Sequence, residues 1–446
     1  MKKQFLLAAG IVAVAGLLLT GCSTTGGGGA ASTTAPGCAP YAKYGTLKNK
    51  TVTMYSGIVA PLATSYINSF KKFESCTGIT VQFQGDTNFD SQIKVRIAGG
   101  NAPDLAVFAQ PGQIKSLVGS KNIVQAPKGV AGNVNKFWSS SWKDYVEING
   151  KIYGSPVDAN VKSLVWYQPS RFKAAGYKIP TTLAQLKKLS DTIVASGAKP
   201  WCEGISAGSA TGWPITDWMS QMMLIQSGPA TYDKWVNNQI PFTAKAPKKA
   251  LAEAGDFLKN SKYMNGGLGD VSSIAATTWT DAGVPVLSGK CAMYKQGSFQ
   301  AGIFPKGTTV SPTGDVYAFY FPGVNTKTKP VLGGGDFLVA FSKRPEVQAF
   351  QTFMSSDTWA NAMVAASPDG GWVTANTGMD NSKLTNPIDK LSAQILQDPK
   401  SVFRYSAADQ MPPAVQAVFW AQSTKWILGQ STSDTLSTIQ KSWANQ

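Results

Sequence analysis

Between residues 51 and 108 the apolar residues alternate between strand and helix spacing, and this alternation restricts the possible folds more than any other stretch. Residues 51–55 are β-branched or apolar, end at Ser56-Gly57, and predict a strand. From Pro61 to Ser75, Leu62, Tyr66, Phe70 and Phe73 recur at helical spacing, and Thr77-Gly78 closes the run. Residues 79–83 predict a second strand. Residues 88–98 carry Phe89, Ile93 and Ile97 on one helical face and stop at Gly99-Gly100, and residues 104–108 predict a third strand. A βαβαβ order in about 60 residues requires a parallel sheet with helices on both faces, because each crossover must return the chain to the same starting edge. Ligands of such sheets bind beyond the carboxyl ends of the strands. Here those ends are Tyr55-Ser56-Gly57, Gly85-Asp86 and Ala109-Gln110.

Residues 161–167 form an apolar strand leading to Pro169, the expected crossing into a second lobe. Thr181-Thr182 caps a helix bearing Leu183, Leu186, Ile193 and Val194, and a helix-rich region with helices at 215–226 and 246–260 follows. Residues 331–341 read as a strand loaded with Gly333-Gly334-Gly335, so the backbone passes close to another group there. Helices are expected at 345–355, 358–365, 412–428 and 433–443. The expected organisation is a first lobe at 41–160, completed by part of 310–370, and a second at 161–309, completed by C-terminal helices at about 371–446.

The N-terminus has a different chemistry. Met1-Lys2-Lys3 is followed by an almost wholly apolar run from Phe5 to Leu19 and then by Thr20-Gly21-Cys22. That order is a secretion signal, and its apolar core is shorter than the roughly 20 residues a spanning helix needs. The Leu19-Thr20-Gly21-Cys22 ending resembles the bacterial lipobox. It implies a lipoprotein signal peptide at 1–21 and a lipidated Cys22; an ordinary cleaved signal with an incidental cysteine is the alternative. Residues 22–40 form the linker, and within it Ser23 to Gly37 lacks any large apolar side chain, so a flexible coil with a reach of about 20 Å is expected. The expected location is the outer face of a bacterial cell membrane.

The formal charge is +16, or +14 once Lys2 and Lys3 are removed. No five-residue basic cluster exists, so nucleic acid is not expected as a partner. Histidine is absent, which excludes Ser-His-Asp and Cys-His catalysis and histidine-ligated zinc. With Cys22 assigned to lipid, Cys38, Cys76, Cys202 and Cys291 remain, an even number in an oxidising compartment. Three pairings exist. Cys38–Cys76 and Cys202–Cys291 are favoured because each joins residues of one lobe, and loops of that size contribute about 4–5 kcal/mol each on the chain-entropy model. A zinc site is the alternative, but no C-x₂₋₄-C spacing supports it. No metal or cofactor is expected.

Thr211-Gly212-Trp213-Pro214, Thr278-Trp279-Thr280 and Gly370-Gly371-Trp372 place tryptophans in loops with no helical periodicity to explain them as core. A flat ring beside hydroxyls and carboxylates suits the CH face of a sugar, while polar groups take its hydroxyls. Space-filling burial is the other reading of each ring.

Residues 41–108, Pro156-Val-Asp-Ala-Asn-Val-Lys-Ser-Leu-Val-Trp-Tyr167, Trp201-Cys202 through Trp218, and Gly333-Gly-Gly-Asp-Phe337 resemble ABC-transporter extracellular solute-binding proteins of the sugar class, most of all the alpha-glucoside-binding group. The resemblance implies an α/β, two-lobed periplasmic-binding-protein-like fold (type II), each lobe a sheet flanked by helices, closing over one sugar. It implies a monomer that catalyses nothing and hands its sugar to membrane permease subunits. Carried over by position, the ligand-binding residues are Asp86, Gln110, Asp158, Lys162, Trp213, Trp218 and Asp336, joined by Trp279, Trp372 and Asp409, with Arg404 a further candidate. Aspartates accept hydroxyl protons, Lys162 donates and the tryptophans stack. The alternative readings are Asp86 as a helix cap, Asp158 and Asp336 as turn residues, Lys162 as a solvated charge, and Trp218 as part of a buried helix face with Met222 and Ile225. Rival functions are a secreted glycoside hydrolase using paired aspartates, a receptor for a non-sugar solute, and a structural envelope protein without a small ligand.

Overall fold

A computed structural model describes residues 36–265 and 268–445; the signal segment, Cys22 and the linker up to residue 35 lie outside them. In chain order the strands are β1 (Lys50–Ser56), β2 (Ile79–Gly85), β3 (Leu105–Phe108), β4 (Glu147–Ile148), β5 (Lys151–Ile152), β6 (Gly154–Pro156), β7 (Asn160–Val161), β8 (Leu164–Tyr167), β9 (Trp201–Cys202), β10 (Met293–Lys295), β11 (Tyr317–Tyr320), β12 (Lys329–Gly334), β13 (Phe337–Ala340) and β14 (Ser401–Tyr405).

The first sheet has the order β2-β1-β3-β13-β6. β1 runs parallel to β2 and to β3, with Lys50 opposite Ile79 and Met54 opposite Leu105, as the βαβαβ alternation requires. β13 returns antiparallel to β3, with Phe337 opposite Phe108. Both faces are covered, which explains why the central strands β3 and β13 are continuously apolar, whereas the edge strand β2 alternates with polar residues. Val52, Met54, Leu105, Val107 and Leu338 face the helices Leu62–Thr77 and Asp357–Ala366 through Tyr66, Phe70, Phe73 and Trp359. Their neighbours Tyr55, Ala106, Phe108, Phe337 and Val339 face the opposite layer, built on Phe89, Ile93 and Ile114. A side-chain period of two delivers alternate residues of one strand to two separate cores.

The second sheet has the order β11-β8-β10-β9. It packs with the helices Trp213–Val236, Lys245–Leu258, Pro413–Ile427 and Thr432–Ser442 around Trp201, Trp218, Trp235 and Phe257. The helix expected at 215–226 is longer than its periodicity suggests. It continues to Val236 through a kink where Gly228 takes φ +77° ahead of Pro229, which lacks an amide hydrogen to continue the ladder.

A third sheet, β14-β12-β7, joins the two lobes and corrects two strand expectations. The run at 161–167 is two strands: β7 belongs to the joining sheet and β8 to the second sheet. Between them, the backbone N–H groups of Lys162 and Ser163 both donate to the Leu332 carbonyl, at 2.8 and 3.1 Å. The run at 331–341 likewise divides into β12 in the joining sheet and β13 in the first. Gly335 and Asp336 leave the ladder because their N–H groups donate to side chains, the Tyr405 hydroxyl at 3.0 Å and Asp158 Oδ1 at 2.7 Å. The chain therefore changes sheets at Lys162 and again at Asp336.

Cys38–Cys76 ties the segment Ala39–Tyr44 to the end of the helix Leu62–Thr77, with Cα atoms 5.4 Å apart. Cys202–Cys291 joins β9 to the start of β10 at 5.7 Å. This is the favoured pairing, and it leaves no thiolate among these four cysteines for zinc. Among the described residues no helix is long and apolar enough to cross a membrane.

Candidate ligand-binding cleft

A cavity of about 720 Å³ lies where the three sheets meet, below the carboxyl ends of β1 and β3 and facing loops of the second lobe. At its floor, where β12 gives way to β13, Asp336 meets Asp158. Asp158 Oδ1 accepts the Asp336 N–H at 2.7 Å and Oδ2 accepts the Tyr66 hydroxyl at 3.2 Å. Burial pushes the Asp158 carboxyl up to about 6. Burial and the neighbouring Asp158 charge push the Asp336 carboxyl well above its ordinary range. The floor thus sets two carboxyl groups side by side.

The glycine run in front of Asp336 is required by packing. A side chain at Gly335 would stand 2.5 Å from the Asp158 carbonyl oxygen and 2.8 Å from the Trp142 ring. The expected close approach is real, and its partners include the protein's own crossing strand as well as the cavity that Gly334 and Gly335 line.

Lys162 projects from the sheet-switch point between two carboxylates, 3.0 Å from Asp217 and 3.3 Å from Asp409. Burial disfavours its ammonium, but the two carboxylates outweigh burial and its pKa is raised. Burial likewise raises Asp409, to about 6, against the pull of Lys162. The network continues through Gln416 Nε2, which donates to Asp409 at 3.2 Å, to Gln113, whose Nε2 reaches Gln416 at 3.4 Å, Gln110 at 3.3 Å and Asp90 at 3.2 Å. It therefore connects the second lobe to the first beneath the cavity.

The second lobe supplies an aromatic wall. Trp213, at the start of its helix, meets Trp279 edge to face at 5.7 Å, and both meet Phe299, at 6.2 and 5.6 Å. All three rings are half-buried and line the cavity. The Lys162 ammonium lies 5.1 Å from the centre of the Trp213 ring. Trp372, almost wholly buried against Trp359, contributes a fourth ring from the opposite side. At the mouth the lobes touch: a side chain on Gly208 would come within 2.6 Å of the Thr87 carbonyl.

The structure brings Gln110, Asp158, Lys162, Trp213, Trp279, Asp336, Trp372 and Asp409 to this one cavity. Two expected residues are elsewhere. Asp86 follows β2, the edge strand, so it sits outside the lining; its carboxylate accepts the Tyr55 hydroxyl at 2.6 Å and caps the Asn88 N–H at 2.8 Å. These two hydrogen bonds hold its pKa below the usual value. Trp218 points into the second core, 5.6 Å from Trp201 and 5.4 Å from Phe257, and donates to Glu203. Its helical spacing with Met222 and Ile225 is the signal of that burial. Arg404 lies outside the lining too, paired with Asp233 at 2.6 Å. Sequence reading misses Asp90, Asp217, Asn160, Phe299 and Tyr405. Asp217 leaves one signal: a carboxylate four residues after Trp213 on an otherwise apolar helix needs a buried partner.

Residues 59–361 match the family model described as bacterial extracellular solute-binding protein. The alpha-glucosides-binding periplasmic protein AglE of Rhizobium meliloti is 32% identical over 90% of this chain and 89% of its own length. The osmoprotective compounds-binding protein GgtB of Synechocystis is 30% identical, over 90% of this chain and 94% of its own. Among solved structures, the bacterial solute receptor AcbH shares the fold with a TM-score of 0.75 at 18% identity, covering 89% of this chain and 98% of that one. Maltose-bound MalE3 of T. maritima shares it at 0.68 and 15%, covering 88% of this chain and 98% of that one. The matched proteins are receptors, which sets the hydrolase reading aside. The two-lobed chain belongs to the bacterial extracellular solute-binding protein family.

Proposed function

We propose that this protein is the substrate-binding component of an ABC sugar importer, capturing an α-glucoside or related oligosaccharide outside the membrane and delivering it to the permease. The observation that carries this reading is the aromatic wall of Trp213, Trp279 and Phe299 facing the same cavity as Asp158, Asp336, Asp409 and Lys162. A pyranose has an apolar CH face and a rim of hydroxyls. The rings take the face, the carboxyl groups and Gln110 accept hydroxyl protons, and Lys162 donates. Trp372 closes the floor. The cavity falls within the range of about 300–1,000 Å³ used for small ligands. The α-glucoside assignment is supported by the name of the 32% identical relative.

Residues 41–160 with part of 310–370, and 161–309 with C-terminal helices at about 371–446, act as the two jaws of a monomer, and the sugar stabilises their closed arrangement, which the permease reads. Cys22 carries the lipid that holds the receptor at the outer face of the cell membrane, raising the concentration of loaded receptor near the permease. Thermal melts and calorimetry with maltose, trehalose and sucrose test the reading, because a ligand of the folded state raises the midpoint by mass action. One sugar is expected to bind, and Trp213→Ala or Trp279→Ala to weaken it about tenfold or more through lost ring contact. Absence of binding by all three overturns the α-glucoside reading. Cys22→Ala is expected to leave affinity unchanged and reduce cellular uptake.

A further inference from the structure

The cleft inverts the charge of the molecule around it. The chain has 41 Lys and Arg against 25 Asp and Glu. Yet among the described residues the charged side chains lining the cavity are Asp90, Asp158, Asp281, Asp336 and Asp409, with Lys162 as the single cation. Lys162 is already held by Asp217 and Asp409. Asp90 and Asp281 belong to no ion pair among the described residues; Asp90 accepts the Gln113 amide at 3.2 Å and Asp281 the Thr278 hydroxyl at 2.6 Å. They face the cavity from opposite lobes, Asp90 on the helix Phe89–Ala98 and Asp281 just after Trp279.

Two further polar atoms at the cavity lack partners among the described residues and call for a ligand group that both donates and accepts, as a hydroxyl does. Asn160 lines the cavity with a buried side-chain oxygen that has no hydrogen-bond partner among the described residues, an acceptor waiting for a donor. Trp420, 4% exposed, lines it with an indole N–H that also lacks a partner there and suits a neutral hydroxyl. The ring faces add to this, because the negative side of an aromatic quadrupole repels an anion and attracts a cation or a C–H group.

Resting on the sugar-receptor reading above, we propose that the cleft is a charge filter that admits neutral and amine-bearing saccharides and excludes acidic ones, with Asp90 and Asp281 as its selective carboxylates. An ammonium on the sugar finds an uncompensated carboxylate on either lobe. A sugar carboxylate meets like charges at Asp90 and Asp281 and, deeper, at the buried Asp158 and Asp409, where charge–charge terms are stronger than in bulk solvent. Burial already holds the Asp90 carboxyl above its ordinary range, against the hydrogen bond from Gln113 and the charge of Lys94, so a cation placed beside it relieves a standing cost.

The test is calorimetry on the mature protein with maltose and trehalose, each in its neutral, monoamino and uronate forms. The uronate of the sugar that binds is expected to be weaker than the neutral form by about tenfold or more, and the amino form to match or exceed the neutral one. Asp90→Asn combined with Asp281→Asn is expected to shrink both ratios, with circular dichroism melts confirming a folded variant. The readout is the ratio among the three forms, so a change in absolute affinity does not obscure it. A uronate that binds as well as the neutral sugar overturns the filter and leaves the sugar reading standing. An unchanged ratio in the double variant overturns the assignment to Asp90 and Asp281. Binding by none of the six overturns both the filter and the sugar reading.

Discussion

Asp389, in the first turn of the helix Pro387–Gln397, accepts the Gly371 N–H at 2.9 Å and so helps to place Trp372 beside it. Burial pushes its carboxyl up to about 7, further than that one hydrogen bond can pull it down. A carboxyl raised in the folded state binds more protons there than in the unfolded chain. Its stabilising contribution is therefore complete below about pH 4 and is lost as pH rises towards 7. Asp389→Asn keeps an acceptor for Gly371 without the buried charge. It is expected to match the parent near pH 4 and exceed it by up to about 4 kcal/mol near pH 8, measured by urea melts at both values. Lys162 shows the opposite logic. Its removal in Lys162→Met takes away the cation that bridges Asp217 and Asp409, and a loss of about 3–5 kcal/mol is expected in guanidinium melts.

At the scale of elements, two glycines of similar appearance in sequence have opposite prospects. Gly335 links β12 to β13, where an added methyl would meet the Asp158 carbonyl and Trp142 at 2.5 and 2.8 Å. Gly335→Ala is expected to cost about 1–3 kcal/mol and to weaken ligand binding as well, because the Asp336–Asp158 contact moves with the link. Gly132 lies on the exposed side of the helix Lys128–Phe137, and an added methyl there would meet nothing within 4 Å. Gly132→Ala is expected to stabilise by about 0.5–1 kcal/mol, since alanine loses less chain entropy in a helix. Thermal melts of both variants separate the effects by sign.

At the scale of the molecule, Gly208 meets Thr87 across the cleft mouth, and the proposed closure is expected to need that contact. Gly208 has φ +59°, and a Cβ there would press to 2.6 Å from the Thr87 carbonyl. Gly208→Val is expected to hold the lobes apart. Small-angle scattering should then show no compaction at a sugar concentration that compacts the parent, with affinity reduced in parallel. Compaction identical to the parent would remove this contact from the closing mechanism.

The local pattern of residues suffices for the parallel β2-β1-β3 part of the first sheet and for the helices with clear periodicity, while the antiparallel β13 and β6 are set by packing. Alternating strand positions such as Leu105 and Ala106 leave by opposite faces whatever the rest of the chain does, and helix faces repeat with a fixed period. The same locality places candidates at strand ends and in tryptophan loops, and eight of the ten expected ligand residues line one cavity. Position along a strand does not say which strand becomes the edge, so the pattern points to Asp86 where Asp90, four residues later, turns inward. Nor can spacing reveal that Lys162 is held by Asp217, 55 residues away, and by Asp409, 247 residues away. A charge buried at a sheet-switch point is defined by whatever the packing brings to it, and here segments far apart in sequence bring the carboxylates, the rings and the cation into one cleft.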